Sequence, residues 1–139
     1  VKVTVDINVL LDVFQKREPH VIASSRILHL ITTAKLEGVI PSHGITTLYY
    51  LVRKHTTKAD AETALDRVLA HFAIGNLDPR GWHRARFLAM PDFEDAVVAA
   101  TAESTGSAYV VTRNLDDFTN SPVPAISPDD LLGLLASMP

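Results

Sequence analysis

Residues 1–6, VKVTVD, alternate β-branched valines with polar positions, the period-two mark of a strand, and Asp6 closes the run. From Ile7 the apolar positions of INVLLDVFQK fall three and four apart, which predicts a helix closed off by Pro19. HVIASSRILHLITTAKLEG (20–38) keeps helical spacing through Ile27, Leu28, Leu30, Ile31 and Leu36, with Gly38 as its stop, and a short strand VIP follows. Ser42 is a cap for a helix over 44–55, and Thr57 or Asp60 caps another over 61–72. FAIGNLD (72–78) reads as a short strand and PRGWHRARFLA as a short helix or turn. DFEDAVVAATAESTG (92–106) is a helix ended by Gly106, and SAYVVT (107–112) is a buried strand. PVPAI (122–126) is extended, and a last helix over 127–138 has Ser127 as cap and Pro128 at its first position.

Strands and helices alternate throughout. This predicts an α/β fold, a three-layer α/β/α sandwich around a mostly parallel central sheet, in which ligands collect at the carboxyl ends of the strands. The 139 residues fit one domain by the usual size of roughly 100–200 residues. With 47% hydrophobic and 21% charged residues the chain can bury a core of its own. The net charge of −3 supplies no overall basic field, so contact with nucleic acid would depend on local basic patches or metal ions. The absence of cysteine excludes disulfides, thiolate metal sites and cysteine nucleophiles. No run approaches the roughly 18–20 apolar residues of a membrane span, and the opening stretch lacks the order of a signal peptide. A cytoplasmic protein with no membrane contact is the expectation.

The chemistry lies in the acids. Asp6 ends the first strand, Asp116 and Asp117 follow AYVVT by a few residues, and Asp95 starts the helix that feeds that strand. Parallel strands put all three places at one edge of the sheet. At about 100° per residue, Asp92 and Asp95 stand about 60° apart on a helix and can share a site, whereas Glu94 points elsewhere and reads as a solvated first-turn charge. Asp92 also reads as the N-cap. Carboxylates gathered in this way repel unless a cation neutralises them. Hard oxygen ligands, without cysteine or paired histidine, suit Mg²⁺ or Mn²⁺. Such an ion activates water and stabilises the charge that builds up in phosphodiester hydrolysis.

Asp12 reads as solvated, with a role behind the metal site as the alternative. The six histidines show no His-x₃-His spacing and read mainly as surface, which argues against a zinc hydrolase. Ser24 and Ser25 lack the context of a nucleophile. Arg53 and Lys54 end the third helix, and Arg80, Arg84 and Arg86 cluster around Trp82 and His83. Of these, Arg53, Lys54 and Arg84 are candidate RNA contacts.

These residues resemble the PIN domain, the nuclease fold of VapC-type toxins and many RNA-processing enzymes. The resemblance rests on VDINVLLD against an Asp-Thr-Asn-x-hydrophobic-hydrophobic-Asp pattern, on DFEDAVVAATAESTGSAYVVTRNLDDF, and on the closing PAISPDDLL. It implies that Asp6, Asp95 and Asp117 are catalytic and hold the metal, with Asn8 and Asn114 in support, and Asp92 is the nearest substitute for a ligand the pattern leaves missing. It further implies a metal-dependent endoribonuclease, the toxin of a VapBC-like pair, with an RNA substrate, a small antitoxin partner and a homodimer. The chain departs from the pattern twice: Ile7 replaces a Thr or Ser, and Tyr49 stands where a helix-borne Glu is usual, as in a branch of the family with a YYxxRK helix. A catalytically weak PIN-like module that binds RNA or protein is the rival reading. A phosphoryl-transfer enzyme of the haloacid dehalogenase kind fits less well, because Asn8 stands where such enzymes carry Asp.

Overall fold

The computed structural model describes residues 1–138. Among them the chain runs β1 (Lys2–Val5), α1 (Ile7–Phe14), α2 (Val21–Thr32), β2 (Glu37–Pro41), α3 (Ser42–His55), α4 (Lys58–His71) and β3 (Ala73–Gly75). It continues with α5 (Pro79–Arg86), α6 (Phe93–Ser104), β4 (Tyr109–Val111), a 3-10 turn (Leu115–Phe118), β5 (Ala125–Ile126) and α7 (Pro128–Ala136). The sheet order is β3-β2-β1-β4-β5, and every pairing is parallel. Where a sequence-based reading expects a mostly parallel sheet, all five strands are parallel.

The alternation in β1 explains the layers. Val3 and Val5, with Val111 of β4, face a core built from Leu10 of α1, Ile27 of α2, Leu48 of α3, Val68 of α4 and Leu131 of α7. Val110 faces the other way and packs on Val98, Ala99 and Ala102 of α6. Residues Ala96 to Ala102 of α6 are all buried. A helix apolar on every side is one covered on every side, and here the sheet lies beneath it while Ala85 of α5 packs above Ala96, Val97 and Ala100. No helix among the described residues is long and apolar enough to cross a membrane.

The order reverses at β1, whose neighbours are β2 on one side and β4 on the other. The crevice outside the carboxyl ends of strands at such a switch point is the usual ligand site of parallel sheets. Asp6 is the first residue beyond β1, and its N–H still donates to Val111 O at 2.9 Å.

Several boundaries differ from the sequence pattern. The second helix stops at Thr32, with Ala34 at φ 59°, and Gly38 lies within β2. A Cβ at Gly38 would stand 2.8 Å from Ile31 and 3.0 Å from Phe72, so the glycine permits close helix–strand packing and does not end a helix. Ser42 is the first residue of α3, and Pro41 occupies the cap position without a side-chain bond. Thr57, Asp78, Asp92 and Ser127 all cap their helices through side-chain oxygens.

Candidate metal centre

Asp6 is buried, 5% exposed, and Thr112 Oγ1 donates to its Oδ2 at 2.8 Å. Burial pushes its carboxyl above the ordinary value, and the charge of Glu94 pushes the same way. Thr112 and the nearby N–H groups of Ile7 and Asn8 pull it back down. The acid is held in place by its neighbours, and among the described residues no lysine or arginine pairs with it.

Asp95 lies on the first turn of α6. Its carboxyl is pushed up to about 7, chiefly by burial and then by the charges of Asp6, Asp92, Asp117 and Glu94. Acids from β1, α6 and the turn after β4 are thus close enough to act on one group. Asp92 caps α6, accepting from the N–H of Asp95 at 3.0 Å. Asp117 and Asn114 are exposed and line, with Arg113, a cleft of about 490 Å³. The Asn114 N–H donates to Thr112 Oγ1 at 3.1 Å, so the hydroxyl that holds Asp6 also ties down the turn that carries Asp117. Asn8 Oδ1 is buried and has no donor.

Glu94 does not turn away. It lines a narrow crevice with Asp6, His43 and Gly44, and its charge acts on Asp6, Asp95 and His43. The 100° rule fails for two reasons. Asp92 is a cap in extended conformation, outside the helical wheel, and first-turn side chains tilt past the helix end toward the site. His43 is half-buried in the same crevice, where desolvation lowers its pKa against the opposing pull of Glu94, so it is no ordinary surface histidine. His43 and Thr112 were invisible as site residues because neither has a distinctive spacing. Their only signal is that each directly follows, or nearly follows, a strand end.

Asp12 is not solvated. It is fully buried, receives Arg113 Nε at 2.6 Å and Nη2 at 3.1 Å, and accepts a longer bond from Ser24. Its apolar neighbours on α1 carry it into the core, and the bidentate guanidinium makes that burial tolerable. The candidate RNA contacts lie apart from the acids. Arg53 is eleven residues beyond the start of α3, roughly 16 Å along its axis, and Lys54 sits 6.0 Å from the Tyr50 ring. Arg84 is paired with Glu103 at 3.0 and 3.2 Å, near the end of α6 remote from Asp95. Tyr49 packs against the main core.

Among the described residues no three acidic or imidazole side chains close around one point as metal ligands. The donor set still fits Mg²⁺ or Mn²⁺, which take one or two carboxylates and keep waters or phosphate oxygens for the rest. The elevated Asp95 carboxyl and the orphaned Asn8 oxygen are what such a charge would relieve.

The PIN domain profile matches residues 2–116, and the chain belongs to this family. No curated protein matches it. Its structure is similar to that of VapBC2 from Rickettsia felis bound to a promoter DNA fragment, with TM-score 0.71 and 18% identity over 91% of this chain and 98% of that one. A toxin–antitoxin complex from Klebsiella pneumoniae gives TM-score 0.68 at 20% identity, covering 91% and 97%. Mycobacterium tuberculosis VapC20, a sarcin-ricin loop cleaving toxin, gives 0.62 at 12% identity, covering 78% and 86%. At these identities the likeness is one of fold.

Proposed function

We propose that this PIN domain is a metal-dependent endoribonuclease and the toxin of a VapBC-like pair. The observation that carries the reading is that Asp6, at the switch point of the sheet, and Asp117, on the turn after β4, both act by their charge on the half-buried Asp95. Held by one or two of these acids, Mg²⁺ or Mn²⁺ would supply an activated water and offset the charge that develops on the phosphate. The chain's own residues prepare that place. Thr112 fixes Asp6 and, through Asn114, the turn bearing Asp117. Asp92 fixes the first turn of α6 and with it Asp95. The cleft lined by Arg113 to Asp117 would lie beside the bound RNA.

Arg53, Lys54 and Arg84 serve as outer RNA contacts in this reading, because their distance from the acids restricts them to phosphates far from the cut bond. The similar toxin–antitoxin complex supports a small antitoxin partner, and the sarcin-ricin loop cleaving VapC20 supports RNA as substrate. A homodimer and a cytoplasmic setting complete the reading. The rival, a binding module without cleavage, draws on the open spacing of the acids and on Tyr49.

The test is incubation of the purified chain with a mixed RNA pool in Mn²⁺ or in chelator, with the new ends sequenced. Cleavage in Mn²⁺ that is absent in chelator and in Asp117→Asn supports the nuclease. RNA binding without any cut transfers the reading to the binding module.

A further inference from the structure

Between the first turns of α2 and the start of α7 lies a hollow of about 410 Å³, within the roughly 300–1,000 Å³ of small-molecule sites. None of Asp6, Asp95 and Asp117 lines it. Its apolar walls are Pro19 and Ile22 on the α2 side and Pro128 on the α7 side, and its ionisable groups are His20, Arg26, Arg113 and Asp129. Arg113 lines both this hollow and the cleft that holds Asp117, so its side chain joins the two. Its Nε and Nη2 are taken by the buried Asp12, which sets the plane of the guanidinium and offsets its charge, while Nη1 makes no bond among the described residues. Arg26 is exposed and has no ion-pair partner among the described residues.

These charges select the ligand. With Asp12 behind Arg113 and Asp129 in the wall, the hollow is too evenly balanced to favour a bare anion. A nucleotide answers each part of it. The phosphate suits the two arginines, the flat faces of the base suit Pro19, Ile22 and Pro128, and the N–H groups on the base edge suit the carboxylate of Asp129, which only accepts. We propose that the hollow is a nucleotide subsite, in which one unpaired RNA nucleotide beside the cut bond sets its phosphate on Arg113 and Arg26 and its base edge on Asp129. The proposal rests on the RNA-cleaving reading above and says where the strand goes as it leaves the acids: past Arg113, from the cleft into the hollow. Arg113 is the pre-set contact, held by its pair with Asp12, and Arg26 is the adjustable one. Guanine fits best, because its N1–H and N2–H₂ are adjacent donors that one carboxylate receives together, as it receives an arginine fork.

The test is a titration of the full chain in chelator, where neither metal nor cleavage is needed, followed by amide chemical shifts. The probes are guanosine 5′-monophosphate and, separately, inorganic phosphate. The nucleotide is expected to move the amides of residues 20–26 and 127–130, and to bind about tenfold more weakly to Arg26→Gln and to Asp129→Asn, both substitutions at exposed positions. Inorganic phosphate is expected to bind more weakly than the nucleotide. Phosphate bound as well as the nucleotide, or an affinity unchanged in Asp129→Asn, overturns the proposal, since the base then makes no contact of its own. Nucleotide shifts that fall elsewhere, or none at millimolar concentration, overturn it too, and if that chain still cuts RNA in Mn²⁺ the cleavage reading stands without the subsite. Nucleotide bound in the hollow of a chain that cuts no RNA in Mn²⁺ upholds the subsite and overturns the cleavage reading alone.

Discussion

Thr112 and Asp6, 106 positions apart in the chain, are joined by a buried 2.8 Å hydrogen bond from Oγ1 to Oδ2. The bond links the ends of the two strands that flank the switch point, and it aims one carboxylate before any ligand arrives. Pre-setting an acid in this way is what distinguishes a site from a surplus of surface charge.

Thr112→Val removes the donor at nearly constant volume. Asp6 is then a buried acid short of a partner, so stability falls by about 1–3 kcal/mol and the Asp6 carboxyl rises further. Mn²⁺ affinity should fall about tenfold. Urea denaturation and a metal titration measure the two effects, and unchanged values in both would remove Thr112 from the account.

Arg113→Met leaves the fully buried carboxyl of Asp12 without its guanidinium. Loss of about 3–5 kcal/mol is expected. The double variant Asp12→Leu, Arg113→Met should regain much of that loss, because an apolar pair avoids the desolvation cost. A double variant as unstable as the single one would show that the pair does more than satisfy its own burial.

The metal-free protein should become less stable as pH rises from about 4 to about 7. Asp95 titrates near 7 in the folded chain and near 3.9 when unfolded. Between those values the folded state holds a proton that the unfolded state has released, so stability declines with pH. Below the unfolded value both states are protonated, and above the folded value both are charged, so the contribution is flat on either side. Asp6, also raised, adds to the decline in the same direction. Asp95→Asn should flatten much of the slope in thermal melts taken across this range.

Added Mn²⁺ should reverse that slope at neutral pH. At one hundred times its dissociation constant an ion adds about 2.7 kcal/mol, and the gain should vanish in Asp95→Asn. Melts with and without the ion report it directly.

Period-two and helical spacing are enough to place most elements, and of the four side-chain caps Thr57, Asp92 and Ser127 read as caps in the sequence whereas Asp78 does not. The nearness of Asp6 and Asp117 to Asp95 is legible because parallel strands end at one edge, where the helix that feeds the next strand also begins. The positions of Glu94, His43 and Thr112 beside Asp6 are not legible, since they depend on how α3, α6 and β4 approach β1, and no local period encodes that approach. Asp12 misled for a related reason. Its ion pair spans 101 positions, so nothing near it in sequence shows that a charge on α1 can be buried. Gly38 misled through the usual link between glycine and helix ends, when the true constraint was the packing of Ile31 and Phe72.

The most direct test of the central claim is calorimetric Mn²⁺ titration of the wild type and Asp95→Asn, with the same samples then given mixed RNA. The account predicts binding and metal-dependent cleavage in the wild type, with both lost in Asp95→Asn. Wild-type protein that binds no Mn²⁺ at millimolar concentration, or that cuts RNA equally well in chelator, would contradict it.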